Sequence, residues 1–176
     1  MPLQLSELVL STFSNGLKVL VHLIDVAEEH AYYLGLSADD LYPDARLIED
    51  MKPFSFQIQE ATTAVNIALA RLGVTELQAW ADEESTMAEL RARIAKAQKL
   101  LEEVDKEDID KGADEAAYLH FGPMTLTTTG KGSILGYSIP NFFFHIQTAY
   151  AILRSKGVPL GKKDYAESFV LPYLVV

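Results

Sequence analysis

Apolar residues recur at three- and four-residue steps across the first thirty-odd positions: Leu10, Phe13, Leu17, Leu20, Val21, Ile24 and Ala31. That is the period of a helix with one buried face. It predicts a helix from about Leu5 to Leu34, mildly weakened by Gly16 and stopped by Gly35, which suits a left-handed cap. A second stripe, Phe54, Ile58, Ala61, Val65, Ala68 and Leu72, predicts a helix entered at Asp50 to Pro53 and stopped by Gly73, with Gln57 on the edge of the stripe. Thr86 and Glu89 have the spacing of a capping box and open a third helix to about Val104. Leu90, Ile94, Ala97, Leu101 and Val104 face inward there, and Arg91, Arg93, Lys96, Lys99 and Glu102 outward. The fourth helix runs from Pro140, a residue suited to the first helical position, to Lys156 before Gly157.

The connections carry their own signals. Tyr42-Pro43-Asp44 breaks the link between the first two helices, and a polar loop leads to Ser85. The acidic run Glu102 to Asp110 reads as a solvated helix end. Residues Ala117–Phe121 and Met124–Thr129 read as two short strands around Gly122-Pro123. Such a hairpin needs the bundle to pack against. Val158 to Tyr165 reads as an irregular crossing segment. The fold class predicted is all-α: a four-helix bundle with a small β-hairpin between helices three and four. It comprises one domain over residues 1–168 and an apolar C-terminal extension over 169–176.

Composition narrows the partners. The chain has 176 residues, enough for one sizeable core, and 49% of them are apolar. Fifteen basic residues against 25 acidic ones give a net charge of −10, which argues against a nucleic-acid backbone or an anionic membrane. There is no cysteine, so disulfides, thiolate metal sites and cysteine nucleophiles are excluded. No basic n-region of a secretion signal opens the chain, and no uninterrupted apolar run approaches the ~20 residues that span a bilayer. A cytoplasmic protein is the expectation.

The chemistry concentrates on helix four. Asn141, His145, Thr148 and Ile152 share one of its faces, and Phe142, Phe143 and Phe144 crowd around them. If the helices simply alternate in direction, helix four is parallel to helix two. Glu28, Asp50, Gln57, Asn141 and His145 then converge at one mouth of the bundle. Such a cluster can be a hydrogen-bond network that fixes helix register, because unpaired buried polar groups are costly. It can also be the floor of a small-molecule pocket. In that reading Asp50, Gln57, Asn141 and Thr148 bind a ligand beside Phe54 and Phe144, and His145 is the catalytic acid or base. A third reading, a divalent metal on His145 and Asp50 with His30 or Glu28, supplies fewer nitrogen ligands than zinc usually takes. His22 reads as surface, and His120 as the edge or packing face of the hairpin. No phosphate loop, dinucleotide fingerprint, nucleophile elbow or paired-histidine zinc motif occurs.

Three blocks carry a family resemblance: Leu47 to Gln59, Pro140-Asn141-Phe-Phe-Phe-His145 through Arg154, and Gly157 to Tyr165. They resemble the DUF1993 family, and the likeness covers nearly the whole chain from the first helix to Tyr165. That family has no established general function and is similar to the DinB/YfiT-like four-helix bundles. The resemblance implies the same bundle here, and dimerisation, which is frequent among such proteins. Many DinB-like proteins hold a divalent metal such as zinc or nickel with a histidine of helix two and an H-x3-H pair of helix four, and some transfer low-molecular-weight thiols. His145 matches the second histidine of that pair, Asn141 stands where the first would be, and the helix-two position matches Gln57 or Asp50. The expectation is therefore a metal-independent small-molecule pocket, with a metal-dependent transferase and a non-enzymatic oligomeric scaffold as alternatives.

Overall fold

The computed structural model describes residues 3–175. Four long helices make the bundle: α1 (Leu5–Leu34), α3 (Phe54–Arg71), α4 (Met87–Glu102) and α7 (Ile139–Ser155). Short helices α2 (Ala38–Leu41), α5 (Lys106–Lys111), α6 (Gly130–Ser133) and α8 (Lys162–Val170) fill the connections. Strands β1 (Ala116–Phe121) and β2 (Met124–Thr129) pair antiparallel, Ala116 opposite Thr129 and Phe121 opposite Met124. Val9, Phe13, Leu20, Ile24, Phe54, Ile58, Val65, Leu90, Ile94, Phe142 and Ile146 are all fully buried, so each long helix contributes to one core. Among the described residues, helix α1 alone has the length and apolarity to cross a membrane, yet its apolar face is spent inside this bundle.

Cross-contacts fix the helix directions. Arg91 of α4 pairs with Asp25 and Glu28 near the C-terminal end of α1, so those two helices are antiparallel. Arg93 meets Thr62 of α3, while Gly112, past the end of α4, lies against Leu72 at the end of α3. Helices α3 and α4 are therefore parallel. On α7, His145 contacts Gln57 near the start of α3, and Tyr137 just ahead of α7 contacts Arg71 at its end. Helix α7 is thus antiparallel to α3, against the expectation of a parallel pair. The order is up, down, down, up.

Two parallel neighbours need a crossover as long as the helix itself. Residues 72–86 supply it, and buried polar groups hold it down. Arg93 is only 4% exposed and is a hub, not the outward residue its helical spacing suggests. Its guanidinium donates to Ala81 O, Asp82 and Glu84 of the crossover, and to Thr62 Oγ1 and Thr63 Oγ1 of α3. Burial raises the Glu84 carboxyl, but bonds from Arg93, from its own backbone and from Gln59 outweigh this and hold it below the ordinary range. Asn66 adds a two-point clamp on the backbone of Gln78, at 2.7 and 3.2 Å.

Close backbone approaches place the rest. A Cβ at Gly16 would lie 2.3 Å from Phe142 Cε1, so glycine lets α7 press onto α1, where Phe142 meets the Phe13 ring edge-on. A Cβ at Gly130 would lie 2.1 Å from Gly112 O, and one at Gly112 equally close to Leu72 O, so the hairpin base is stacked on the end of α3. The acidic run expected in solvent instead forms α5, where Ile109 is buried and Asp110 accepts from the backbone and hydroxyl of Ser6. Helix α6 passes through a π-helical segment, Ile134–Ser138, straight into α7, where a simple turn was expected. The wider ladder, with Ile139 N–H reaching Ile134 O, eases the backbone past Pro140, whose ring crowds the preceding turn.

The segment after Gly157 is more regular than its sequence suggests. Helix α8 packs on α1, with Asp164 bonded to His22 at 2.8 Å. Phe169 packs on Phe143 and Tyr165, and residues 170–175 are exposed. The extension's last residue, Val176, lies outside the described residues, as do Met1 and Pro2.

Arg93→Met should cost about 3–5 kcal/mol in urea unfolding, because two acids and several acceptors lose a buried cation. Limited proteolysis of the variant should cut first within 72–86, and an unchanged cleavage pattern would show that the crossover is held by other means.

Candidate functional site

The polar stripe of helix four meets α3 at one point. Gln57 Nε2 donates to Lys52 O at 3.1 Å. A carbonyl only accepts, so the amide nitrogen must face Lys52 and Oε1 must face His145. His145 Nδ1 lies 2.9 Å from that oxygen and therefore carries the proton, leaving the lone pair on Nε2. Gln57 is 2% and His145 7% exposed, with Phe56 and Phe144 edge-on to the imidazole. Burial without a charged partner pushes the imidazole pKa down to about 4. At neutral pH His145 is an uncharged ring that accepts at Nε2 and has no proton there to give.

The other predicted site residues separate. Asp50 is exposed in a turn ahead of α3, outside the first helical turn it was expected to join. Phe54 is wholly buried in the core, whereas Phe144 is 59% exposed. Thr148 is buried and spends its hydroxyl on Phe144 O, one turn back. Glu28 is bound to Arg91, and His30 Nδ1 lies 2.8 Å from the Tyr42 hydroxyl. Because α7 is antiparallel to α3, the expected mouth does not form, and Gln57 and His145 are the one pair brought together. Asn141, one turn before His145, faces a different space.

That space is a cavity of about 480 Å³ between α3, the hairpin and the entry to α7. Helix α3 gives it Glu60, Thr63, Ala64, Ile67, Ala70 and Arg71. Strand β1 adds Ala117, Tyr118 and His120, so the hairpin forms a wall. Tyr137, Ser138 and Asn141 close the other side, and Leu77 of the crossover contributes one apolar face. The size lies in the range of small-molecule sites. His120, expected as hairpin surface or packing, bonds Thr125 Oγ1 at 3.0 Å and lines this cavity.

The cavity is polar at chosen points. Arg71 stacks on the Tyr137 ring, its charge centre 5.1 Å from the centroid, and its Nη1 is buried with no partner. Ser138 Oγ is likewise buried and unpartnered. Glu60 stands three turns back along α3, its carboxyl raised by burial and by Asp82 against the opposing pull of Arg93. Sequence reasoning passed over Arg71, Glu60, Tyr137 and Ser138. The available signal was Glu60, Thr63, Ile67 and Arg71 at helical spacing, a face with two charges that was not part of the core stripe. Ser138 had no such signal, since only the π-helical segment turns it inward.

The residues around His145 do not fit a divalent cation. Gln57 presents one amide atom to Lys52 and the other to the imidazole, and Asp50 stands in an exposed turn. Among the described residues no group of three His, Cys, Asp or Glu side chains is arranged to hold a metal.

Comparison with known proteins gives a family and a fold neighbour. The family described as "Domain of unknown function (DUF1993)" matches residues 5–166. A crystal structure of a DinB family member protein from Shewanella denitrificans is similar at 36% identity, with a TM-score of 0.81, covering 92% of this chain and 90% of that one. No curated protein matches the chain.

The buried neutral state of His145 has a pH signature. Its folded pKa of about 4 lies below the ordinary 6.5, so the unfolded chain binds the extra proton between those values. Stability from this group is complete above about pH 6.5 and falls by up to about 3 kcal/mol as pH drops to about 4. Glu84 and Asp164, both held below the ordinary carboxylate range, add acid sensitivity of the same sign. Urea unfolding of wild type and His145→Gln across pH 4 to 7 isolates the imidazole: the variant should show a shallower slope by up to one proton. Parallel slopes would mean that His145 titrates normally.

Proposed function

The chain belongs to the DUF1993 family, and from that premise and the geometry above we propose that it is a small-molecule-binding protein whose site is the cavity between α3, α7 and the hairpin. The observation that carries this reading is the cavity itself, two of whose lining residues, Arg71 and Ser138, each keep a buried polar atom without a hydrogen-bond partner, Nη1 and Oγ. More than nine in ten buried polar groups find partners in folded proteins. Two such atoms on residues that line one cavity are polar capacity the fold leaves unused, within a side-chain adjustment of a ligand. Asn141 offers a third polar contact, and Ala64, Ile67 and Leu77 give an apolar wall, the mixed lining typical of ligand sites.

The proposed site is metal-independent, and every interaction in it comes from the chain's own side chains. It differs from the pocket expected from sequence, sharing Asn141 with it. Gln57 and His145 then serve as a neutral polar tie between α3 and α7, one turn from Asn141, that keeps the two walls in register.

Ile67→Trp tests the reading, because Ile67 is a half-buried lining residue and a larger ring fills the space. Wild-type protein screened against a metabolite set by thermal shift should yield ligands that raise the Tm. The same ligands should leave the Tm of Ile67→Trp unmoved while its circular dichroism stays helical. Ligands that stabilise both proteins equally would place binding elsewhere.

A further inference from the structure

The chemical class of the ligand follows from Arg71. Resting on the reading of the cavity as a binding site, we propose that the ligand carries an oxyanion, a carboxylate or a phosphate, seated on the Arg71 guanidinium. The chain has five arginines. Arg91 and Arg93 are paired with acids, and Arg46 and Arg154 donate to backbone carbonyls. Arg71 alone has neither a hydrogen bond nor an ion pair among the described residues. A chain with 25 acidic residues supplies it with none.

Position in the helix does not account for this. A cation in the last turn of α3 is favoured by the exposed carbonyls there, which explains the charge but not the buried donor. The guanidinium carbon lies over the Tyr137 ring, 5.1 Å from its centroid, which restricts where the group can sit. A planar guanidinium fork is the geometry that takes a carboxylate or phosphate by two parallel N–H bonds. Ser138 and Asn141 line the same cavity, and Ser138 Oγ is a second polar atom without a partner.

Glu60 gives the site a direction. It lies about 16 Å along the helix from Arg71 by the rise per residue, too far to serve as the counter-ion. A negative carboxylate there repels the anionic end of a ligand and accepts a hydroxyl or ammonium group. Between the two charges Ala64, Ile67 and Leu77 offer apolar contact. The ligand class is therefore a small organic acid or phosphate ester with an apolar middle and an anionic group at the Arg71 end.

Benzoate, phenyl phosphate, inorganic phosphate and neutral benzamide are titrated into wild type, Arg71→Met, Arg71→Lys and Ile67→Trp, followed by backbone amide spectra. Benzoate or phenyl phosphate should move amides at the end of α3 and across 134–141. Benzamide, and either anion on Arg71→Met, should bind about tenfold or more weakly, the loss of a charge-assisted contact. Arg71→Lys should recover part of the affinity. A preference for benzoate identifies a carboxylate ligand, and a preference for the two phosphates a phosphate. Arg71→Met should keep a helical circular-dichroism spectrum and a cooperative melt, since it breaks no hydrogen bond or ion pair and gives up only the contact with Tyr137 and the favourable place at the helix end. Failure of both anions to bind, equal binding of benzamide, or undiminished binding to Arg71→Met overturns the oxyanion assignment. If metabolites still bind wild type but not Ile67→Trp, the cavity reading survives that failure. If nothing binds wild type, both fall.

Discussion

The buried guanidinium of Arg93 sets the geometry of everything around it. A helix bundle with short links alternates in direction, and the fourth helix then runs parallel to the second. Here the chain climbs back along the bundle through residues 72–86 before α4 begins, so α4 repeats the direction of α3. Such a crossover is open backbone, and it stays only if its polar groups are answered. Arg93 answers Ala81, Asp82 and Glu84 while holding Thr62 and Thr63 of α3. Five acceptors on two segments converge on one side chain. Its neighbours Lys96 and Trp80 cover it, the ammonium lying 4.5 Å from the indole centroid.

That reversal carries the site with it. With α4 parallel to α3, α7 returns antiparallel, and the end of α3 meets the entry to α7. The hairpin is inserted between α5 and α7, so it emerges at the same end and its base stacks on Leu72 and Gly112. A cavity roofed by β1 and walled by α3 and the π-helical segment is the consequence. The π ladder matters locally, because one extra residue in a turn rotates Ser138 towards α3, where its hydroxyl has no partner. Fold and cavity are thus joined directly: the ion-pair hub bonds Thr62 and Thr63 midway along α3, and Thr63 also lines the cavity.

The sequence made the elements legible and left their directions open. Stripes of apolar residues mark α1, α3, α4 and α7 to within a few positions, and the hairpin follows from alternation around Gly122-Pro123. A linker of this length, however, permits either direction for α4, and period alone cannot choose. The deciding residue was in view. Arg93 follows the outward face by spacing, yet it is nearly as buried as the leucines beside it. Charged residues are assigned outward because an unpaired buried charge is costly, and that rule fails where a loop brings its own acids. The same error moved the expected site. Gln57 and His145 do meet, because His145, in the middle of α7, crosses α3 near its start in the antiparallel arrangement. Asp50 and Glu28 sit at the ends, where reversal changes everything.

The Gln57–His145 pair shows how one residue type alters what a histidine can do. A histidine at position 57 could have turned a ring nitrogen towards a shared cation. An amide at that position divides its two atoms between Lys52 O and the imidazole N–H, and so acts as the group that orients a ring. The imidazole keeps its lone pair at Nε2 but loses the second nitrogen or carboxylate donor that a cation site requires. Burial then keeps it neutral well below physiological pH. What remains is a hydrogen-bonded strut between two helices, one turn from a cavity whose unanswered charge is Arg71. In this arrangement the polar character of the α3–α7 seam at His145 is satisfied within the protein, and the unpaired charge lies further along the seam at the guanidinium.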